Sequence, residues 1–588
     1  MSGFRKVFLL MAVLVLVAGI ASAQTTPLQC VASSGSIPPV RSEGIAEEAG
    51  QVIITCTGGL ATPNGQPIPR INVQIFMNTN ITSKLIGSNL ESEALLAIDD
   101  PTPCASAGVG CQLVASDVPN LSQPLATGSG QYLGGIPASG TPSAPVSARP
   151  NIFVGQQVQT NSVAWLNVPF DPPGTTPNRV LRIMNVRANA SKLGFVSGSL
   201  PTNFTMIISI SGTGAPSLQN NAVTVGAVQK GLYFDVVDVD GKVTTAATYN
   251  QCEPDTKHMY LRYKEGFGTA FRKNILSTES QATINTIYNT ESMFYNPLFV
   301  GTKAAGAGFA TQATRLSARF SNVPDNVTLK VPLTITSVNG DSATLVGAGT
   351  DGSTASTSDG TVALSGHAGA AVWEFSASNE GAASSLFVDV QITYKSNPLP
   401  GLGTASVAGN YAPVSTVLTA STSAPVPRFI EDPANATAFT INSCRTDLLF
   451  PFVTNTSGFD TGIVISNTSS DPFSTVPQRG ACHLYYYGST AGGGAAPPTQ
   501  DTGVVTEGSQ LILTLSNGGN LGTVATPGFM GYIIATCDFQ YAHGFAFVSD
   551  LGATRVAEGY LALVMDKDMY DKTAGTTRTK AASETLKH

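Results

Sequence analysis

"GYIIATCDFQYAHGFAFVSD", residues 531–550, brings a cysteine, an aspartate and a histidine together among aromatic side chains. Such a set suits either a catalytic or metal-binding site or a pair of β-strands. Side chains alternate across a strand. In one extended run, Cys537, Phe539, Tyr541, His543, Phe545 and Phe547 therefore share a face, and Asp538 points the other way. That parity blocks an Asp538–His543 dyad unless the chain bends near His543-Gly544. No GxSxG sequence supplies a nucleophile elbow for the histidine. The stretch reads as strands, with the cysteine and aromatics in a core and His543 at a strand end.

The same pattern extends outward from it. "LLFPFV", "TGIVISNT", "CHLYYYG" and "SQLILTLSN" give short strands at the density of a sandwich between about residues 429 and 565. In "CHLYYYG", Cys482, Leu484 and Tyr486 fall on one face and His483, Tyr485 and Tyr487 on the other. An imidazole and two phenols on a solvated face can stack on sugar rings, or pack beneath a loop or a neighbouring domain. These three residues form the candidate ligand face.

Period-two alternation recurs towards the N-terminus, and helical periodicity is almost absent. "INVQIFM" aligns Ile71, Val73, Ile75 and Met77, and "FTMIISI" aligns Phe204, Met206, Ile208 and Ile210. "NVTLKVPLTI" sets Val327, Leu329, Val331, Leu333 and Ile335 on one face, with Pro332 suggesting an edge or a bulge. The expected fold is all-β and multi-domain, mostly antiparallel β-sandwiches.

The divisions follow the punctuation. Residues 1–23 read as a signal peptide, with basic Arg5 and Lys6, an apolar run from Phe8 to Ile20, and Ala21-Ser22-Ala23 before the cut. Residues 24–250 form an N-terminal β domain with a long Pro/Gly/Ser loop, two subdomains being the alternative division. Residues 251–395 form a middle β-sandwich, 396–428 a linker-like segment, 429–565 a C-terminal β-sandwich and 566–588 a polar tail. The mature chain is expected to be periplasmic, extracellular or at the cell surface, with no transmembrane segment.

Export makes disulfides the expectation for the eight cysteines, Cys30, Cys56, Cys104, Cys111, Cys252, Cys444, Cys482 and Cys537. Nearness pairs Cys30 with Cys56 and Cys104 with Cys111. Cys252 either bridges domains or is free. No CxxC offers zinc ligands. "DVDG" sets Asp238 and Asp240 before Gly241, a weak calcium candidate: Val236 stands where a first ligand belongs, and a closing glutamate is missing. A β-turn accounts for it more simply.

Charged residues are 12% of the chain, against about 25% in ordinary soluble domains. The balance is acidic, 31 Lys+Arg against 38 Asp+Glu, which excludes a nucleic-acid track or an anionic-membrane face. The arginines Arg179, Arg182, Arg187, Arg262 and Arg272 are expected to pair with Glu43, Glu265 or backbone carbonyls. "RSEG" at 41–44 and "YKEG" at 263–266 suggest a weak repeat.

The combination of "RSEGIAEEAGQVIITCTGG", "VPFDPPGTTPNRVLRIMNVRANA", "YKEGFGTAF" and "GYIIATCDFQYAHGFAFVSD" resembles large secreted all-β proteins of environmental, acidobacteria-like bacteria. That resemblance implies one exported architecture and supplies no catalytic residues.

The functional expectation is a secreted or cell-surface, non-catalytic structural or adhesive protein, self-assembling or bound to other surface proteins, without a cofactor. A carbohydrate-binding module array is the first alternative, with glycans as partners. A secreted hydrolase is the second, and it requires distant carboxylates to converge.

Overall fold

The computed structural model describes residues 26–87, 90–99, 115–116, 128, 132, 152–195, 200–244, 246–251, 256–279, 289–299, 303–347, 349, 352, 358–395, 400–442, 444–473, 475 and 477–565. Residues 1–23, read as a signal peptide, Cys104, Cys111, Cys252 and residues 566–588 lie outside them. The protein is all-β. Among the described residues the helical segments are two three-residue 3-10 turns, Ala190–Lys192 and Pro297–Phe299, and no helix is long and apolar enough to cross a membrane.

The alternating stretches become strands because each can bury one face. Ile71, Val73, Ile75 and Met77 of Arg70–Met77 are all buried, as are Val52, Ile54 and Cys56 of Val52–Gly58. Twelve strands join in one sheet, which runs from Ser217–Gln219 at one edge to Pro39–Arg41 at the other. It curls on itself, so that Cys30, Ile54 and Leu181 from one half meet Ile75, Met206 and Val225 from the other in a single core. One core argues for one N-terminal unit.

The middle unit packs a four-stranded sheet, containing Leu232–Val237, Thr256–Glu265, Ser385–Tyr394 and Val327–Lys330, against a seven-stranded one. Three sequence expectations are corrected here. First, Leu232–Val237 pairs with Thr256–Glu265, so residues from 232 belong to the middle unit and not to the N-terminal one. Second, the linker-like segment is structured. Gly403–Ala412 is an inner strand of the seven-stranded sheet, and the chain after it wraps Arg428, which donates to the carbonyls of Val417, Thr419 and Pro425. Third, Ala436–Asn442 pairs with Gly403–Ala412, so the C-terminal unit starts after it. The chain around Pro332 also differs from one strand. Val327–Lys330 lies in one sheet and Thr334–Thr336 in the other, with Leu333 exposed at the crossing and the Pro332 carbonyl accepting from Trp373 Nε1.

The N-terminal and middle units share a buried ionic junction. Arg41 donates to Glu47 and, through both terminal nitrogens, to Glu291 at 2.8 and 3.1 Å. Its guanidinium lies 4.7 Å from the Phe429 ring centre. Arg187 donates to Glu93 and to the Glu291 carbonyl, and Arg272 stands 3.8 Å from Glu47. These side chains are fully or almost fully enclosed. Beside them Leu95, Ile152 and Met184 pack against Phe294 and Phe299.

The C-terminal sandwich has its own core. Its sheets are a six-stranded one, containing Thr446–Thr454, Cys482–Thr490 and Phe529–Cys537, and a five-stranded one, containing Asp460–Asn467, Gln510–Thr514, Ala542–Ser549 and Ala557–Leu561. Cys30–Cys56 and Cys482–Cys537 are disulfides between directly opposed residues of neighbouring strands, and Cys444 is also disulfide-bonded.

Candidate functional site

Residues 531–550 do not form one run. Phe529–Cys537 ends in the six-stranded sheet, Tyr541 turns with a φ of +63°, and Ala542–Ser549 continues in the five-stranded sheet. Cys537 and Phe539 are buried. Tyr541, His543, Phe545 and Phe547 are exposed, which corrects their placement on a common core face. The switch of sheet resets the alternation, because the second strand buries the residues that the first would expose.

Asp538 meets a different histidine. His483 Nδ1 lies 2.7 Å from Asp501 Oδ1 and Nε2 lies 3.4 Å from Asp538 Oδ2. The Asp501 hydrogen bond, aided by Asp538 and opposed by partial burial, raises the imidazole above its usual range. Both nitrogens are engaged by carboxylates, so neither is free to take a proton from Thr536, its cross-strand neighbour. Cys482 is no nucleophile either, since its sulfur is in a disulfide. The cluster is therefore a charged clasp on the sheet surface rather than an acid–base device.

The split of "CHLYYYG" is as the alternation requires. Cys482, Leu484 and Tyr486 face the core, and His483, Tyr485 and Tyr487 face outward. The structure adds Tyr532, opposite Tyr487, whose ring stacks on it with centroids 5.0 Å apart at 14°. Tyr485, Tyr487 and Tyr532 are 37%, 42% and 40% exposed. Tyr485 pairs with Ile534, which pairs with Leu449 on the next strand, so the outer face carries an aromatic row, an aliphatic row and the His483 clasp. Tyr532 and Asp501 were not singled out in the sequence, and Asp538 was weighed there against His543 rather than His483. The disulfide was the missing signal: counting five residues inward from each opposed cysteine sets Tyr487 against Tyr532.

The second sheet is also apolar outside. Phe545 pairs with Val464 and Leu561, and Val464 pairs with Ile512, forming a surface row across four strands.

The other sequence candidates have structural partners. The Asp238 carboxylate accepts from the amides of Asp240 and Lys242, and Gly241 N donates to the Asp238 carbonyl, closing a turn. Among the described residues no group of three or more His, Cys, Asp or Glu could hold a metal ion. Arg179 pairs with Asp99, Arg182 with Gln51, Arg187 with Glu93 and Arg262 with Asp235. The expected backbone carbonyls are used, by Arg179 to Asp171, Arg187 to Glu291, Arg262 to Gly241 and Arg272 to Thr269, whereas the carboxylates these arginines pair with are other than the expected Glu43 and Glu265. Those two glutamates instead accept backbone amides, Glu43 from Gly231 and Leu232 and Glu265 from Phe271 and Ser384. "RSEG" and "YKEG" thus use their glutamates alike. The interior carboxylates Glu47, Glu93 and Glu291 are each held by arginine away from solvent, which removes them as hydrolytic groups.

No family model matches the chain, and no curated protein matches it. Solved structures with similarity include the C-terminal domain of the Streptococcus agalactiae antigen I/II polypeptide BspA, at 7% identity and a TM-score of 0.24, covering 70% of this chain and 100% of that one. The C-terminal domain of the Streptococcus pyogenes antigen I/II-family protein AspA gives 9% and 0.25, covering 71% and 100%. The full-length RrgB pilus protein of Streptococcus pneumoniae gives 9% and 0.20, covering 82% and 55%. At these scores the likeness is one of all-β build.

Proposed function

We propose that this chain is an exported, non-catalytic adhesive or structural protein of the cell surface. The observation that carries the reading is the C-terminal sandwich, whose two outer sheet faces both expose aromatic and aliphatic side chains. Contiguous exposed apolar surface of this kind marks interaction sites. A rigid carrier suits the role, because the ionic junction fuses the two preceding units. Labelled full-length protein should bind cell envelopes, and protease added to intact producing cells should reach it. Loss of both signals, with the protein confined inside the cell, would overturn the reading.

A second reading, glycan binding, is favoured by the tyrosine row beside the His483 clasp. Aromatic faces suit the apolar faces of sugar rings, and the clasp offers hydrogen bonds to hydroxyls. Glycan-array binding that disappears in the Tyr485→Ala/Tyr487→Ala double variant supports it. Binding that survives the double variant removes this site.

A further inference from the structure

Among the described residues, the C-terminal sandwich has a last strand with one open side. Ala557–Leu561 is the edge of the five-stranded sheet, paired on one side with Ala542–Ser549. The chain then crosses at Ala562, whose amide donates to the Gly544 carbonyl, and Leu563–Val564 becomes the edge of the six-stranded sheet. In an antiparallel pair, successive residues direct their amide and carbonyl to opposite sides. Ala562 bonds inward, and so does the Val556 carbonyl, which accepts from Asp550. The groups of Ala557, Gly559 and Leu561 therefore point to the open side.

Sheets usually blunt such an edge with lysine, proline or a bulge. This strand, "AEGYL", contains neither residue, and no lysine occurs between Lys395 and Lys567. Its register with Ala542–Ser549 is unbroken. The edge is also flush with the apolar surface row, since Leu561 beside Phe545 is 63% exposed. At Gly559 a Cβ would fall 2.7 Å from Phe545 Cζ, so the absence of a side chain lets that ring lie over the edge strand.

We propose that this strand pairs antiparallel with the same strand of a second copy, about a two-fold axis at Gly559, to make a dimer through a continuous sheet. The occupant follows from the sequence of the edge. Centring on Gly559 sets Ala557 opposite Leu561 of the other copy and Glu558 opposite Tyr560, so the acidic residues do not oppose each other. Each Phe547 pairs with Gly559, so the two Phe547 rings flank a seam of two glycines. An isologous contact of this kind closes on itself and gives a dimer. The inference rests on the surface-protein reading and adds its partner.

The test is sedimentation of the full mature protein across the micromolar range, with Leu561→Pro and Ala557→Pro as separate variants. Each proline deletes an outward amide and no bond to Ala542–Ser549. The wild type should show a concentration-dependent dimer, weakened at least tenfold in each proline variant that keeps the native circular dichroism and melting. The Tyr485→Ala/Tyr487→Ala variant, altered on the other sheet, should dimerise like the wild type. A wild type that stays monomeric, or a dimer untouched by both prolines, overturns the proposal. A monomer that still binds cell envelopes overturns the dimer alone and leaves the adhesive reading standing.

Discussion

The junction between the first two units and the C-terminal sandwich solve the same problem with opposite materials. At the junction, charge is interior: Arg41, Arg187 and Arg272 meet Glu47, Glu93 and Glu291 with almost no solvent access. In the sandwich, ion pairs such as Arg479–Glu507 sit at the surface, and the core is apolar around the Cys482–Cys537 disulfide. Buried ion pairs need full hydrogen bonding to repay desolvation, so they fix one mutual orientation of the elements that supply them. A covalent bond inside an apolar core places no such demand on the outside. Cys30–Cys56 ties the apolar core of the first unit as well, so what separates the two regions is the buried charge: it fixes the junction, whereas the sandwich, whose ion pairs reach the surface, exposes rings and aliphatic side chains on its outer faces.

The sharpest way to break this comparison is to remove Arg41. Arg41→Ala leaves Glu47 and Glu291 buried without their main partner, and such a loss costs about 3–5 kcal/mol. Denaturant unfolding should show that loss in the transition of the two fused units and leave the sandwich transition in place. Replacing Arg41 and Glu291 together by methionine should cost much less, because the penalty lies in the orphaned charge. Equal shifts in both transitions would mean that the units do not unfold separately.

The converse experiment removes the sandwich disulfide. Cys482→Ala with Cys537→Ala opens a loop spanning a separation of 55 residues, an effect of about 2–4 kcal/mol on the chain-entropy account. Here the sandwich transition should move and the junction transition should hold.

Titration separates the regions more gently. Burial pushes the Glu265 carboxyl up to about 7 despite its two amide donors. Burial does the same to Glu48, although Arg272 and Arg187 pull it down. Both groups keep a proton in the folded chain that the unfolded chain releases at ordinary carboxylate pKa. Stability of the fused units should therefore fall as pH rises from about 4.5 to about 7, by at most about 1.4 kcal/mol per pH unit for each group. Glu291 runs the other way. Burial would raise it, but Arg41 and Arg272 outweigh burial and hold it below its usual value. Its contribution is present above the ordinary carboxylate range and is lost as pH falls through its lowered pKa. Melting curves of the wild type and Glu265→Gln from pH 4 to 8 check the first slope, which the variant should flatten.

Sequence alone makes one of these regions more legible than the other. Strand faces such as 71–77 and 204–208 were readable because each buries one side for its whole length. The run at 531–550 was not, because the chain changes sheet and parity restarts; at 327–335 the chain also changes sheet, but Val327, Leu329, Val331 and Ile335 stay buried on one alternation and Leu333 alone departs from it. The outward set His483, Tyr485 and Tyr487 was visible within one strand, whereas Tyr532 needed the register that the cysteine pair fixes. The junction was hidden for a different reason. Arg41 and Glu291 are 250 residues apart, and nothing local in either segment announces a partner.

The smallest expected effect concerns the clasp. His483 is pinned between Asp501 and Asp538 at the surface, where ion pairs contribute about 0–1 kcal/mol. A raised imidazole pKa means that this contribution is whole below the ordinary histidine range and disappears as pH rises through the pKa of His483 itself. Asp501→Asn removes the nearer carboxylate charge and leaves an acceptor oxygen in place. The imidazole pKa, followed by NMR, should drop toward its ordinary value, while the melting temperature of the sandwich changes by little. A pKa that stays raised would assign the effect to Asp538 across its 3.4 Å contact. A large loss of melting temperature would mean that charge matters to this sandwich as it does to the junction, and the contrast between the two regions would fail at the site where it is most exposed to test.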